Sequence, residues 1–360
     1  DIQVTSTGGE EVKRDWLKAG LLRAGLAIVL ILATAAQSYS QIEVDLKLLA
    51  EDGAASDRLG SSISVSGDTA VIGAYGDDDN GESSGSAYVF IRGADGTWTQ
   101  QGKLLAEDGA ANDQFGISVS VSGEIAVVGA HYDDDGASGA GSAYVFVRDT
   151  DGTWSQETKL LAGDGAAYDY FGSSVSISGD TVVVGAHRNN ALGSDSGAAY
   201  VFVRNGDGTW SQEDKLLAGD GALGDYFGSS VSVSGNTAVI GGNGDDDNGD
   251  NAGSAYVFIR GSDGTWAEQS KLLADDGTAH DVFGNSVSVS GGIVMIGADA
   301  DDDKGSNSGS AYVYEIPQSE IEADQELFAD DGATFDWFGQ SVSVSGDTTV
   351  VGAYRDDDNG

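Results

Sequence analysis

The 360-residue chain has no cysteine, three histidines, and only 17 lysines and arginines against 59 aspartates and glutamates. Without cysteine there is no disulfide framework and no thiol chemistry. The formal charge at pH 7 is −42. A surface of that sign repels nucleic acid, anionic lipid and acidic polymers. It favours cations, basic partners or solubility in salty water. No Gly-x-Ser-x-Gly elbow, phosphate-binding glycine loop or zinc motif occurs in the sequence, so catalysis has little to stand on. No helical period appears after residue 40, and the apolar stretch 24–36, at thirteen residues, is short for a membrane span.

The first forty residues are a different material from the rest. They hold four acids (Asp1, Glu10, Glu11, Asp15) and four bases (Lys13, Arg14, Lys18, Arg23), so the net charge belongs to residues 41–360. The bases precede the apolar run, and small-x-small sites follow at Ala33-Thr34-Ala35 and Ser38-Tyr39-Ser40. That order predicts an export signal, cleaved or kept as an anchor, and a protein that is secreted or held at the cell surface. Residues 1–40 are thus expected to be an N-terminal extension and 41–360 the working domain.

What dominates the remainder is repetition. Lys47-Leu48-Leu49-Ala50 returns at Lys103, Lys159, Lys215 and Lys271, each 56 residues on, and then as Glu326-Leu327-Phe328-Ala329 after 55. Phe-Gly keeps the same step at Phe115, Phe171, Phe227, Phe283 and Phe338, with Leu59-Gly60 first. Gly-Ala follows at Gly73, Gly129, Gly185, Gly297 and Gly352, with Gly241-Gly242 as the variant. A fixed period of this size means units that bury their apolar faces only against their neighbours.

Each unit reads as four strands. In the second, Ile117–Ser122 alternates strictly, Gly123-Glu124 turns, and Ile125–Val128 follows. Ala143–Arg148 is β-branched and aromatic, Asp151-Gly152 is a hairpin turn, and Thr153–Leu161 closes the unit. Four short antiparallel strands per repeat predict an all-β fold, a β-propeller with five full blades and an incomplete one. Small Val, Ala, Ser and Gly in strands one and two suit a crowded axis, and Tyr, Phe and Trp in strands three and four suit the widening space outside. Residues 41–50 read as an orphan fourth strand. Because the sixth unit stops after its second strand, the chain is expected to be C-terminally truncated, with a native ring of six or seven blades.

The Phe-Gly and Gly-Ala landmarks, with the spacing of Ser62–Ala74, Ser118–Ala130 and Ser174–Ala186, resemble FG-GAP repeats across residues 41–360. Those are the blades of integrin α-chain propellers and of many exported bacterial proteins. The integrin-type calcium loop, Asp-x-Asp-x-Asp-Gly between the two landmarks, is replaced here by a tight turn such as Ser66-Gly67-Asp68. The resemblance therefore implies the bacterial type and does not carry that calcium site across.

Strand direction puts the loops after strands two and four on one face. They carry the acid runs containing Asp77, Asp79, Asp133, Asp135, Asp245, Asp247, Asp301, Asp303, Asp356 and Asp358, together with pairs such as Asp52 and Asp57, or Asp108 and Asp113. Clustered carboxylates on loops are what calcium needs, which makes Ca2+ the candidate cofactor. The third unit departs, reading Arg188-Asn189-Asn190. After Gly-Ala the sequence varies, and Tyr75, His131, Tyr132, His187, Arg188, Asn243, Asp299 and Tyr354 form a candidate ligand ring. The expected function is a non-catalytic, exported binding or adhesion module for an extracellular protein or glycan, with no nucleic acid and no membrane insertion of the mature domain. The alternatives are the propeller part of a secreted polysaccharide-active enzyme, which needs His131, His187 and a carboxylate in one pocket, and a purely structural surface repeat.

Overall fold

A computed structural model describes residues 47–316, 323–329, 336–345 and 348–354. The predicted export signal, residues 41–46 of the expected orphan strand, and Asp356 and Asp358 lie outside them. Residues 47–50 carry no strand, contrary to expectation. Instead Leu48 and Ala50 pack on the apolar cluster of the first sheet.

That sheet consists of β1 (Ile63–Ser66), β2 (Thr69–Ala74), β3 (Ser86–Arg92) and β4 (Trp98–Leu104), hydrogen-bonded in chain order. Four further antiparallel sheets of the same order span 118–160, 174–216, 227–272 and 286–327, and a two-stranded sheet spans 338–353. The second-unit strands fall within two residues of the sequence reading, at Ser118–Ser122, Ile125–Ala130, Ser142–Arg148 and Trp154–Leu160. No helix occurs among the described residues.

Burial explains why the second strands are continuous apolar runs. Thr69–Ala74 and Ile125–Ala130 are buried along their whole length, because both faces of each sheet are covered. The alternate residues of one strand serve two different cores. Val127 joins the cluster shared with the third sheet, whereas Ala126 and Val128 join the cluster shared with the first. Phe115 plugs the gap between the first two sheets, edge-on to Tyr144 at 5.4 Å and to Phe146 at 5.9 Å between ring centroids.

The glycine landmarks are the seam between sheets. A Cβ on Gly129 would stand 2.0 Å from the Gly172 carbonyl oxygen of the next unit, and Ser118 Oγ donates to that same oxygen at 2.8 Å. Gly172 itself has φ +89° and presses on the Ser142 carbonyl, so neither position tolerates a side chain. The Phe-Gly of one unit and the Gly-Ala of the unit before it therefore meet backbone to backbone.

Serines complete the seam on the first strands. The amides of Val121 and Gly123 donate to Ser64 Oγ (3.0 Å) and Ser66 Oγ (3.1 Å) of the preceding unit. Ile177 and Gly179 do the same to Ser120 and Ser122, and Val233 and Gly235 to Ser176 and Ser178. The first strands of the second, third and fourth sheets thus have backbone donors occupied by their neighbours' hydroxyls rather than exposed for pairing. The serines that read as small axial filler are cross-blade acceptors.

Candidate functional site

The two acid sets do share a face, as expected, but a cation already lies between them. In the first sheet Lys103, near the end of β4, places Nζ 2.8 Å from Asp52, 2.8 Å from Asp77 and 2.7 Å from Asp79. Tyr88 on β3 reaches the same carboxylates, with its hydroxyl 2.9 Å from Asp52 Oδ1 and 3.0 Å from Asp77 Oδ2. Strand register sets this up, since Tyr88 pairs directly with Lys103. The cage recurs in the second sheet as Lys159 with Asp108, Asp133 and Asp135 at 2.9, 2.9 and 2.6 Å. It recurs again in the fourth as Lys271 with Asp220, Asp245 and Asp247 at 2.8, 2.7 and 2.7 Å.

The inner carboxylates are the costly ones, because Asp77, Asp133 and Asp245 are each only 3% exposed. A buried charge persists only if it is paired and hydrogen-bonded. Burial works against the charge of Asp77, but bonds from Lys103, the Asp79 amide and Tyr88 outweigh it and hold its carboxyl below the usual range. The Lys103 bond does the same for Asp52. Lys103 is raised in turn: burial opposes its charge, and its three aspartates more than compensate. Burial chiefly pushes the Tyr88 phenol up to about 12, so it stays a donor.

Asp108, Asp133 and Asp135 bring one oxygen each within 4.8 Å of one another, a grouping that could hold a metal ion. The Lys159 ammonium reaches all three. The third sheet shows how the cage survives losing an acid. Asn189 replaces the inner aspartate and accepts from Lys215 Nζ at 3.1 Å while donating to Asp169 at 2.8 Å. In the fifth sheet Tyr312 still reaches Asp276 and Asp301, both at 3.1 Å, but Glu326 occupies the register position that lysine holds elsewhere. Burial first, then the charges of Asp301 and Asp276, push the Asp303 carboxyl up.

A second acid in each loop has another task. Asp113 caps its own turn by accepting the Ala110 amide at 2.7 Å, and Asp57, Asp169, Asp225 and Asp281 repeat that bond. Burial, reinforced by the charge of Asp133, raises Asp113 to about 6.

The candidate ligand ring divides. His131 and Tyr132 lie 4.0 Å apart between centroids, Tyr170 stands 5.5 and 5.0 Å from them, and His187 is 5.7 Å beyond Tyr170. Tyr226 continues the band 6.1 Å from His187. Arg188 lies over the Tyr170 ring, its guanidinium carbon 5.1 Å from the centroid, and Asn243 donates to Asn285 at 3.1 Å. Tyr75 and Tyr354 have separate partners, Arg58 and Trp337, and Asp299 is a half-buried acid whose carboxyl burial pushes up. The two histidines are separated by Tyr170, and neither bonds a carboxylate among the described residues. His187 Nδ1 meets Ser173 Oγ at 3.0 Å. Burial holds both rings neutral, with values lowered to about 4.

Sequence reasoning missed the partners on the other side. The residue before Phe-Gly varies as Arg58, Gln114, Tyr170, Tyr226, Val282 and Trp337, and all six have φ between 54° and 60°. A left-handed backbone is unfavourable for such side chains. Its retention through every change of identity was visible in the sequence only as a second variable column. The fourth-strand tryptophans pack between units, Trp210 and Trp266 against the apolar clusters, and Trp210 Nε1 donates to Glu157 at 2.8 Å and Trp266 Nε1 to Glu213 at 3.1 Å, each in the preceding unit.

Six stretches, 44–90, 98–146, 154–202, 210–258, 266–314 and 322–360, match the family model described as FG-GAP repeat. Each complete match from 98–146 onward starts at the fourth strand of one sheet and ends in the third strand of the next, so the family unit bridges two sheets. No curated protein matches the chain.

Proposed function

The chain belongs to the FG-GAP repeat family, and from that premise we propose that residues 41–360 are a non-catalytic binding and adhesion module working outside the cytoplasm. One observation carries the reading. The two variable positions of each repeat, before Phe-Gly and after Gly-Ala, come together on a scaffold that otherwise repeats. Arg58 meets Tyr75, Tyr170 meets His187 and Trp337 stacks on Tyr354 at 5.8 Å. A fixed frame that presents paired, changing side chains suits recognition of an extracellular protein or glycan.

Calcium enters this reading at the fifth sheet. In the first, second and fourth sheets a divalent ion competes with a tethered ammonium for the same oxygens. In the fifth, whose loops carry Asp276, Asp301 and Asp303, Glu326 takes the backbone register that lysine holds elsewhere. Calcium should raise the melting temperature more than magnesium or sodium at matched ionic strength. Glu326→Lys should remove that response. A response that persists in the variant places the ion elsewhere.

The module reading is tested by retention of the full chain on immobilised extracellular polysaccharides and matrix proteins. The wild type should be retained, and Tyr170→Ala with Tyr226→Ala should abolish retention without lowering the melting temperature. Equal retention of the variant, or none of the wild type, overturns it.

A further inference from the structure

Where the third, fourth and fifth units meet there is a cavity of about 280 Å3 lined by His187, Arg188, Tyr226, Ser229, Asn243 and Asn285. No aspartate or glutamate lines it, in a chain of net charge −42. It also adjoins the one acid loop that lost its run, where Asn189 and Asn190 follow Arg188.

The lining groups are specific in what they offer. Arg188 is exposed and makes no ion pair among the described residues, whereas Arg148, Arg204 and Arg260 are each paired with a glutamate. Its guanidinium is held over Tyr170 and is thereby directed without being neutralised. Asn243 and Asn285 spend one donor and one acceptor on each other, which leaves one amide oxygen and one amide nitrogen for a ligand. Ser229 donates to the Gly241 carbonyl at 3.2 Å and keeps its oxygen as an acceptor. His187, uncharged and occupied by Ser173, lies edge-to-face with the Tyr226 ring, and the two make one aromatic wall.

A guanidinium selects a carboxylate through a two-pronged bond. Paired amides select vicinal hydroxyls, and aromatic walls take the apolar face of a ring. The volume admits one small ring rather than a drug-sized molecule. On these grounds we infer that this cavity is a subsite for an acidic sugar, a single hydroxylated ring carrying one carboxylate, bound by Arg188 with Asn243 and Asn285. The inference rests on the binding-module reading and names its ligand class.

The test uses the full chain, calorimetric titration, and glucuronate, galacturonate and mannuronate as probes, with glucose, galactose and mannose as the neutral counterparts. At least one uronate should bind, its neutral counterpart at least tenfold more weakly. Arg188→Gln should weaken the uronate at least tenfold with the melting temperature unchanged. An oligouronate of the same sugar separates the sources: affinity equal to the monosaccharide assigns a terminal or free residue, and higher affinity assigns an internal chain unit. Both outcomes support the subsite. If no uronate binds at 50 mM, or the neutral sugar binds equally, or Arg188→Gln changes nothing, the inference is overturned. Retention on polysaccharide or protein that is lost in the Tyr170/Tyr226 variant would then still stand, separating this failure from failure of the module reading.

Discussion

Replacing Lys159 with methionine keeps the side-chain stem and deletes one charge from the second-sheet cage. The three carboxylates it leaves behind are not equal. The side chains of Asp108 and Asp135 are 41% and 59% exposed and remain solvated, whereas that of Asp133 is 3% exposed. Stripping the partner from one buried charge costs roughly 3–5 kcal/mol, and the lower end applies where two neighbours keep water. We therefore expect Lys159→Met to cost about 3 kcal/mol. The same change one unit on is an internal control. Lys215 faces the neutral Asn189, and its one ion pair among the described residues is with Asp164, whose side chain is 55% exposed. Lys215→Met should therefore cost about 1 kcal/mol. Adding Asp133→Asn to Lys159→Met should recover most of the difference. Repeat arrays need not unfold in one step, so the assay is amide hydrogen exchange read sheet by sheet. A cost of 3 kcal/mol lowers protection in the second sheet by a little over a hundredfold. Equal losses for the two methionine variants would falsify the assignment of the cost to the buried inner carboxylate.

Gly129→Ala should break the seam, since its Cβ would meet a carbonyl oxygen at 2.0 Å. Limited proteolysis should then cut between the second and third sheets, while Gly123→Ala, at φ +58° with nothing within 4 Å, leaves the chain resistant. Ser120→Ala strands the Ile177 amide at the sheet edge and should cost about 1 kcal/mol, read as faster exchange at Ile177. Asp113 has a raised folded value of about 6. The folded state therefore binds more protons than the unfolded between pH 4 and 6, and this group's stabilisation is present below that window and lost as pH rises through it. Asp113→Asn should thus gain about 3 kcal/mol relative to wild type between pH 4 and 7, measured by urea unfolding at each pH. A flat difference across that range removes Asp113 as the titrating group.

The strands were legible because alternation and turn chemistry act locally, and their bounds moved by no more than a residue or two at Ser118 and Ala130. The shared face of the acidic loops was legible too, since strand direction alone fixes it. What joins the loops was not. Lys159 reads as a register mark in Lys-Leu-Leu-Ala, and nothing adjacent in sequence ties it to Asp133, 26 residues earlier, or to Asp108, 51 residues earlier. A base recurring in step with the acids was the available signal. The glycines posed the same difficulty: Gly129 and Gly172 are landmarks of separate repeats, and only the packing of sheets brings one against the other. His131, Tyr132 and His187 of the aromatic band were visible through the variable column after Gly-Ala, and Tyr170 and Tyr226 were hidden in the column before Phe-Gly.

The caged lysines have a meaning for the habitat in which such a surface can work. Dissolved counterions leave an acidic protein when water is fresh and crowd it when water is salt, so its stability follows the weather of its surroundings. An ammonium carried on the fourth strand cannot be diluted away. Its concentration at the cage is set by the backbone and is the same in rain as in brine. For the inner aspartates of the first, second and fourth sheets, the chain brings its own sea.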